Sequence, residues 1–76
     1  METYRVVYLY PMGGPGWKST GTFQEVDDRC ATERARSFVG SGDPKLGVPV
    51  MSVRVCLKRR AGNNKWVEVA ENIGIY

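Results

Sequence analysis

The stretch Asp27-Asp-Arg-Cys-Ala-Thr-Glu-Arg-Ala-Arg-Ser-Phe-Val-Gly40 decides the fold, because it predicts a helix between two pairs of strand-like segments. Asp27 or Asp28 can cap the first turn, since a carboxylate accepts hydrogen bonds from free backbone N–H groups and complements the helix dipole. Gly40 is typical of a helix end. The apolar side chains recur at intervals that place them on one face of the helix: Ala31, Ala35, Phe38 and Val39.

Two strand-like segments precede the helix. Residues 3–10 and 17–26 are rich in Tyr, Val, Thr and Phe, which favour pleated, half-buried surfaces. Between them, Pro11-Met-Gly-Gly-Pro-Gly16 combines residues that interrupt a strand ladder with residues that permit positive φ. We therefore expect a hairpin with a long, glycine-rich tip.

Two more strand-like segments follow the helix. Residues 41–49 contain two Gly and two Pro and predict a loop, after which residues 50–60 and 65–71 alternate between apolar and polar side chains. Ala61-Gly-Asn-Asn64 joins them with turn chemistry. The order strand, strand, helix, strand, strand predicts an α+β fold of one domain over residues 1–76. In it, one helix packs on one face of a four-stranded, mostly antiparallel sheet.

The predicted core combines the apolar stripe of the helix with one side of each strand. The first strand is apolar on both sides, so the choice between its two sides is open; the side with Val7 and Leu9 is assigned to the core. The full set is Val7, Leu9, Ala31, Ala35, Phe38, Val39, Met51, Val53, Val55, Leu57, Val67 and Val69. The opposite side of the sheet is then open to solvent, and we expect function to lie there.

The composition argues against catalysis. The 76 residues include no histidine and two cysteines, which excludes an imidazole base, a Cys-His pair and a mixed Cys/His zinc site. Asp27 and Asp28 are the only adjacent carboxylates, and helix capping explains them. Cys30 and Cys56 are expected on opposite sides of the sheet without a bridge. We predict no catalytic residue, no cofactor and no metal.

A glycine-rich segment superficially resembles a phosphate-binding loop. In Gly13-Gly-Pro-Gly-Trp-Lys-Ser-Thr20, however, Trp17 separates Gly16 from Lys18, and a strand rather than a helix follows. A phosphate loop needs the glycine and lysine adjacent and a helix directly after them. The segment therefore predicts no nucleotide site.

The N-terminus predicts a cytoplasmic protein. Glu2 follows Met1, and the short apolar run over residues 4–10 is interrupted by Arg5, unlike a signal peptide or a membrane span. In the cytoplasm both cysteines are expected to be reduced.

The net charge of +3 is unevenly distributed. Residues 1–38 hold five basic and five acidic groups, whereas residues 39–76 hold six basic and three acidic groups. Exposed cations beside an aromatic ring suit a protein anchor or base stacking. The expected partner-binding residues are the basic cluster with its tryptophan and a second group at the hairpin tip: Arg54, Lys58, Arg59, Arg60, Lys65 and Trp66, with Met12, Trp17 and Lys18.

Within the basic cluster, alternation places Arg54, Lys58 and Arg60 on the side away from the core, and Trp66 on the same side. A simpler interpretation is that these cations keep an edge hairpin soluble and discourage edge-to-edge aggregation.

The layout resembles that of very small α+β proteins from bacteriophages and mobile elements, including anti-CRISPR proteins. The resemblance rests on a short Tyr/Val strand, the acid-capped helix with Ala31-Thr-Glu-Arg-Ala-Arg36, a Gly/Pro loop and Val50-Met-Ser-Val-Arg-Val55. It implies a non-enzymatic inhibitor that docks on a host protein or nucleoprotein complex in the host cytoplasm.

Two alternatives stay open. The chain is a small nucleic-acid-binding module that uses the basic hairpin 54–66, or a structural subunit or adaptor that pairs through sheet edges. The oligomeric state is not predicted.

Overall fold

The computed structural model describes residues 1–74. It has a five-stranded open sheet with one α-helix on one face, which confirms the α+β class and corrects the predicted four strands to five. The strands are β1 (Glu2–Leu9), β2 (Lys18–Ser19), β3 (Phe23–Glu25), β4 (Arg54–Arg60) and β5 (Trp66–Ala70), and the helix is α1 (Asp28–Phe38). A 3-10 turn, Pro11–Gly13, lies at the hairpin tip.

The strands follow the order β2-β1-β4-β5, with β3 paired to β1, and all these ladders are antiparallel. The fifth strand arises because the predicted strand 17–26 is divided. At Thr20 the chain stays bonded to Val6, but the N–H of Gly21 turns away and donates to the carbonyl of Lys45 at 2.9 Å. The chain pairs with β1 again at Phe23.

The helix begins as its sequence predicts. Asp27 is the N-cap, and its carboxylate accepts a hydrogen bond from the Cys30 N–H at 2.8 Å. Ala31, Ala35 and Phe38 are buried against the sheet. The last helical residue is Phe38 and the C-cap is Val39, so that Gly40 directly follows the helix end, as predicted. Gly40 has φ of +78°.

The core takes the other side of β1 from the one predicted. Tyr4 and Val6 are fully buried beneath α1, while Val7 and Leu9 lie on the opposite side. Tyr4 stacks on Phe23 at 5.7 Å between ring centroids, and Phe23 meets Phe38 edge to face at 5.1 Å. These rings fill the space between sheet and helix, where the smaller Val7 and Leu9 side chains were expected.

The segment before β4 also departs from the prediction. Met51 is 69% exposed and Val53 is 55% exposed, because a turn in which the Ser52 N–H donates to the Pro49 carbonyl replaces the expected strand. Val48 fills the core in their place. Val55 and Leu57 are buried as predicted.

The β4–β5 ladder changes register between Leu57 and Lys58, so that Leu57 lies opposite Ala70 and Lys58 opposite Glu68. Val69 is half-buried against the core, whereas Val67 at the sheet edge is 43% exposed rather than buried.

Candidate functional site

The candidate site is the side of the sheet that α1 does not cover, which we call the open face. Residues directly opposite each other in a ladder share a side, so the strand registers define its membership. The residues of the β1–β4 and β4–β5 ladders on this side are Arg5, Val7, Leu9, Arg54, Cys56, Lys58, Arg60, Trp66 and Glu68. The predicted alignment of Arg54, Lys58, Arg60 and Trp66 on the side away from the core is confirmed.

Two arginines on the open face lie over two tryptophans. The guanidinium carbon of Arg5 is 4.2 Å from the ring centroid of Trp66, and that of Arg54 is 5.8 Å from the ring centroid of Trp17. Both distances fall within the range of cation–π attraction. The indoles therefore restrict the motion of the two guanidinium groups, and each indole has a cation over one of its surfaces.

The positive charge of this face is only partly neutralised within the described chain. Lys58 pairs with Glu68 at 3.8 Å, and the Nε of Arg60 donates to the Gly62 carbonyl at 3.4 Å. Among residues 1–74, no acidic group forms an ion pair with Arg5 or Arg54. The Nε atom of Arg5 is buried with no hydrogen-bond partner in that part of the chain.

A concavity of about 310 Å³ opens on this face. Its floor includes Val7 and Cys56, and its other lining side chains are Trp17, Arg54, Lys58 and Glu68. Cys56 is only 2% exposed, and burial raises the pKa of its thiol above the ordinary value. The thiol therefore stays protonated near neutral pH and forms part of an apolar floor rather than a nucleophile.

Glu71 adds a second carboxyl group beside Glu68. The side-chain hydrogen bond with Glu68, and the charge of Glu68, raise the pKa of Glu71. The open face therefore combines the cations of Arg5, Arg54, Lys58 and Arg60 with these two carboxyl groups, and its charge balance is positive.

Arg59 does not join this surface, contrary to the sequence prediction. It lies opposite Tyr4, on the helix side, and its Nη1 is 2.7 Å from Oδ2 of Asp28. The hydroxyl of Tyr4 donates to Oδ1 of Asp28 at 2.8 Å. The hydrogen bond from Tyr4 and the contact with Arg59 lower the pKa of Asp28, whereas burial and the Asp28 carboxylate raise the pKa of Tyr4. Arg59 therefore fastens the first turn of α1 to β4.

The structure separates Trp17 from the other two residues predicted at the hairpin tip. Trp17 is half-exposed and belongs with Arg54 on the open face. Lys18 lies opposite Tyr8, on the helix side, while Met12 is exposed in the 3-10 turn. Lys65 is exposed immediately before β5, beside but not within the open face.

Sequence reasoning missed Arg5, which contributes a cation from β1. The signal was present, because Arg5 shares its side of β1 with Val7 and Leu9, the residues assigned to the core. A charged side chain on a strand side argues against full burial of that side. The same observation would have placed Tyr4 and Val6 in the core.

Cys30 is exposed and Cys56 is buried, and both are free thiols, as predicted. Residues 1–74 contain no cluster of three or more Cys, Asp or Glu side chains suited to holding a metal ion. Within the same residues, no helix is long and apolar enough to cross a membrane.

The chain matches no model of a known protein family, no curated protein and no solved structure.

Proposed function

We propose that this protein is a non-enzymatic, protein-binding inhibitor whose open face docks on an acidic surface of a host protein or nucleoprotein complex. It blocks that surface sterically and electrostatically, which is the mode of action that the resemblance to anti-CRISPR proteins implies. One observation carries the proposal: Arg5 and Arg54 are held over Trp66 and Trp17 without an acidic partner among residues 1–74.

The chemistry of these pairs favours a carboxylate-bearing partner. A guanidinium group binds a carboxylate through two parallel hydrogen bonds, and stacking on an indole reduces the entropy lost when it does so. Arginine and tryptophan are also the residues most enriched at energetically dominant positions of protein interfaces. The concavity beside Arg54 and Lys58, about 310 Å³, has room for one inserted side chain.

The size of the molecule suits occlusion. Its principal extents are 33 × 23 × 22 Å, so that one face is comparable with the roughly 800 Å² that each partner contributes to a standard interface. Docking through the open face leaves α1 as a layer on the outer side. A second macromolecule is then kept from the covered surface.

The test is an affinity capture from nuclease-treated lysate of the source or host cells, with two matched variants. R54E/K58E reverses two charges on the open face, while R29E/R36E reverses two exposed charges on α1 and changes the net charge equally. We expect one stoichiometric protein with the wild type and the α1 variant, and its loss with the open-face variant. Equal capture by both variants, or no protein with the wild type, would contradict the proposal.

Nucleic-acid binding is the second candidate, because Trp17 is half-exposed among cations on an antiparallel sheet. Bases would have to stack on indoles that already carry a guanidinium over one surface, which makes this candidate the weaker one. It predicts binding of single-stranded DNA or RNA that falls steeply with salt, as counterion release requires. A titration at low salt that shows no binding would eliminate it.

A further inference from the structure

A second concavity, of about 550 Å³, lies beside the C-terminal end of α1 and is not used by the proposed function. Three parts of the chain line it: Arg36 and Val39 at the end of α1, residues 50–53, and Gly74. It shares no lining residue with the concavity on the open face. The two concavities are therefore separate sites.

Backbone contacts hold the walls of this second concavity in place. Residues 50–53 are joined to the sheet where the N–H of Val53 donates to the carbonyl of Leu9 at 2.9 Å. Gly74 has φ of +67°, and a Cβ atom at this position would lie 2.9 Å from Cγ2 of Val39, so the backbone approaches that side chain closely. A concavity that is already formed reduces the entropy that a partner loses on binding.

The walls are apolar and exposed. Val50 is 70% exposed, Met51 69% and Val53 55%, and Val39 adds a further apolar side chain. Exposed apolar side chains that lie together mark interaction sites, and the flexible thioether of methionine adapts to the shape of a partner. These walls suit an apolar side chain such as leucine.

Two polar residues also line the concavity. Arg36 pairs with Glu33 at 3.4 Å, but both side chains are exposed and such pairs contribute little, so a carboxylate of a partner can replace Glu33. Ser52 is 7% exposed, and its hydroxyl has no hydrogen-bond partner within residues 1–74. A serine hydroxyl rotates between staggered positions, so it can donate to a carbonyl of a bound segment.

We propose that this concavity is a docking groove for a segment of another protein that carries one apolar side chain next to a carboxylate. The apolar side chain fills the space between Val39, Val50 and Met51, and the carboxylate binds Arg36. A backbone carbonyl of the segment accepts the hydroxyl of Ser52. The contact is small, so binding is weak and is measured by titration rather than by capture. It uses no cation of the open face and stands independently of the proposed function.

The experiment is an NMR titration of the isotope-labelled full chain with the blocked peptide acetyl-Gly-Asp-Leu-Asp-Gly-amide, in which an aspartate lies on either side of leucine. We expect the amide signals of Val39 and residues 50–53 to shift and to saturate. Replacing the leucine by serine is expected to weaken binding about tenfold or more. Replacing both aspartates by asparagine is expected to weaken it about fivefold.

Four variants of the chain test the assigned contacts. M51A removes one wall and R36E reverses the cation, and each is expected to weaken peptide binding about fivefold or more. R29E changes the net charge as R36E does but lies outside the concavity, and it is expected to bind like the wild type. S52A is expected to weaken binding about threefold without lowering the melting temperature, because its hydroxyl has no partner to lose in the free chain.

The variant R54E/K58E separates the two proposals, since it is expected to lose the open-face partner and to keep the peptide shifts at residues 50–53. Shifts confined to the open face, or binding that M51A and R36E leave unchanged, would overturn the groove. Peptide binding seen only after residues 75–76 are removed would also overturn it, because the chain itself would then be the occupant. So would sedimentation equilibrium that shows a dimer of the wild type and only monomer of M51A.

Discussion

Asp28 is the residue at which the helix and the sheet are joined. Its carboxylate accepts the hydroxyl of the fully buried Tyr4 at 2.8 Å and binds Arg59 at 2.7 Å. The same side chain lies in the first turn of α1, where a negative charge complements the helix dipole. One carboxylate thus satisfies a buried donor, neutralises a cation and stabilises a helix end.

We predict that D28A destabilises the fold by about 1–3 kcal/mol, because the hydroxyl of the buried Tyr4 loses its hydrogen-bond partner. In a domain of this size each kcal/mol lowers the melting temperature by about 4–8 °C. The measurement is a double-mutant cycle with Y4F, using urea unfolding of all four proteins. If D28A costs as much in the Y4F background as in the wild type, the hydrogen bond is not the source of the effect.

The acid sensitivity of Asp28 gives a second prediction. Its pKa is lowered in the folded chain, first by the hydrogen bond from Tyr4 and then by Arg59. Its ionised form therefore contributes stability that is present above the unfolded pKa, near 3.9, and is lost as the pH falls through the lower folded value. We expect D28N to be less stable than the wild type at neutral pH and the difference to shrink below about pH 4.

Unfolding by urea at several pH values would measure this difference. Asp27 and Asp43, whose pKa values backbone hydrogen bonds also lower, are present in both proteins and cancel in the comparison. A gap between wild type and D28N that is constant down to pH 2 would show that the charge of Asp28 is not involved.

At the scale of elements, Thr20 is the link that holds two short strands to one long strand. Its hydroxyl accepts the Val6 N–H at 3.0 Å and donates to the Gly21 carbonyl at 2.8 Å, while its own N–H donates to the Val6 carbonyl at 2.9 Å. A side chain thus continues the ladder of β1 at the point where β2 ends and β3 has not begun.

We predict that T20V costs about 1–3 kcal/mol, because it keeps the shape of the side chain but leaves the buried Val6 N–H without a partner. T20S keeps the hydroxyl and loses only a methyl group, so it serves as the matched control. Hydrogen exchange separates the two: the Val6 amide is expected to lose protection in T20V and to keep it in T20S. Equal protection in both variants would mean that the hydroxyl does not support the ladder.

The elements differ in how far local sequence predicts them. The cap and stripe of α1 are local features, and the prediction was correct for Asp27, Ala31 and Ala35. Which side of β1 faces the core depends on the aromatic rings that pack beneath α1. Two of these rings, Phe23 and Phe38, come from other parts of the chain. The alternation over residues 50–53 is typical of a strand, but the turn after Pro49 and the burial of Val48 prevent its pairing.

The candidate site was also predictable only where local alternation determines it. Alternation along β4 and β5 correctly placed Arg54, Lys58 and Trp66 on one side of the sheet, because residues two apart on a strand share a side. Arg59 lies between Lys58 and Arg60 in the sequence. The same alternation directs its side chain to the helix side, where it binds Asp28. The contribution of Arg5 depends on strand order, which pairs β1 with β4 and which local patterns do not contain.

At the scale of the whole molecule, the sheet separates the core from the candidate site. Tyr4 and Phe23 pack beneath α1 on one side, and Arg5 and Arg54 lie over the two tryptophans on the other. A partner that binds the open face therefore contacts these cations without disturbing the core.

Both tryptophans of the chain lie on the open face, so their fluorescence reports on that side alone. We predict that poly-L-glutamate at low salt shifts the emission to shorter wavelength, because a bound chain excludes water from the half-exposed Trp17 ring. Added salt is expected to reverse the shift by screening the cations. W17F is expected to lose most of the signal and W66F to keep it. R54E/K58E should abolish the response. R29E/R36E, which reverses charges on α1 instead, is expected to keep it. Poly-L-lysine, a polymer of the wrong charge, is expected to cause no shift. A shift of equal size with R54E/K58E would place the acidic partner on another surface.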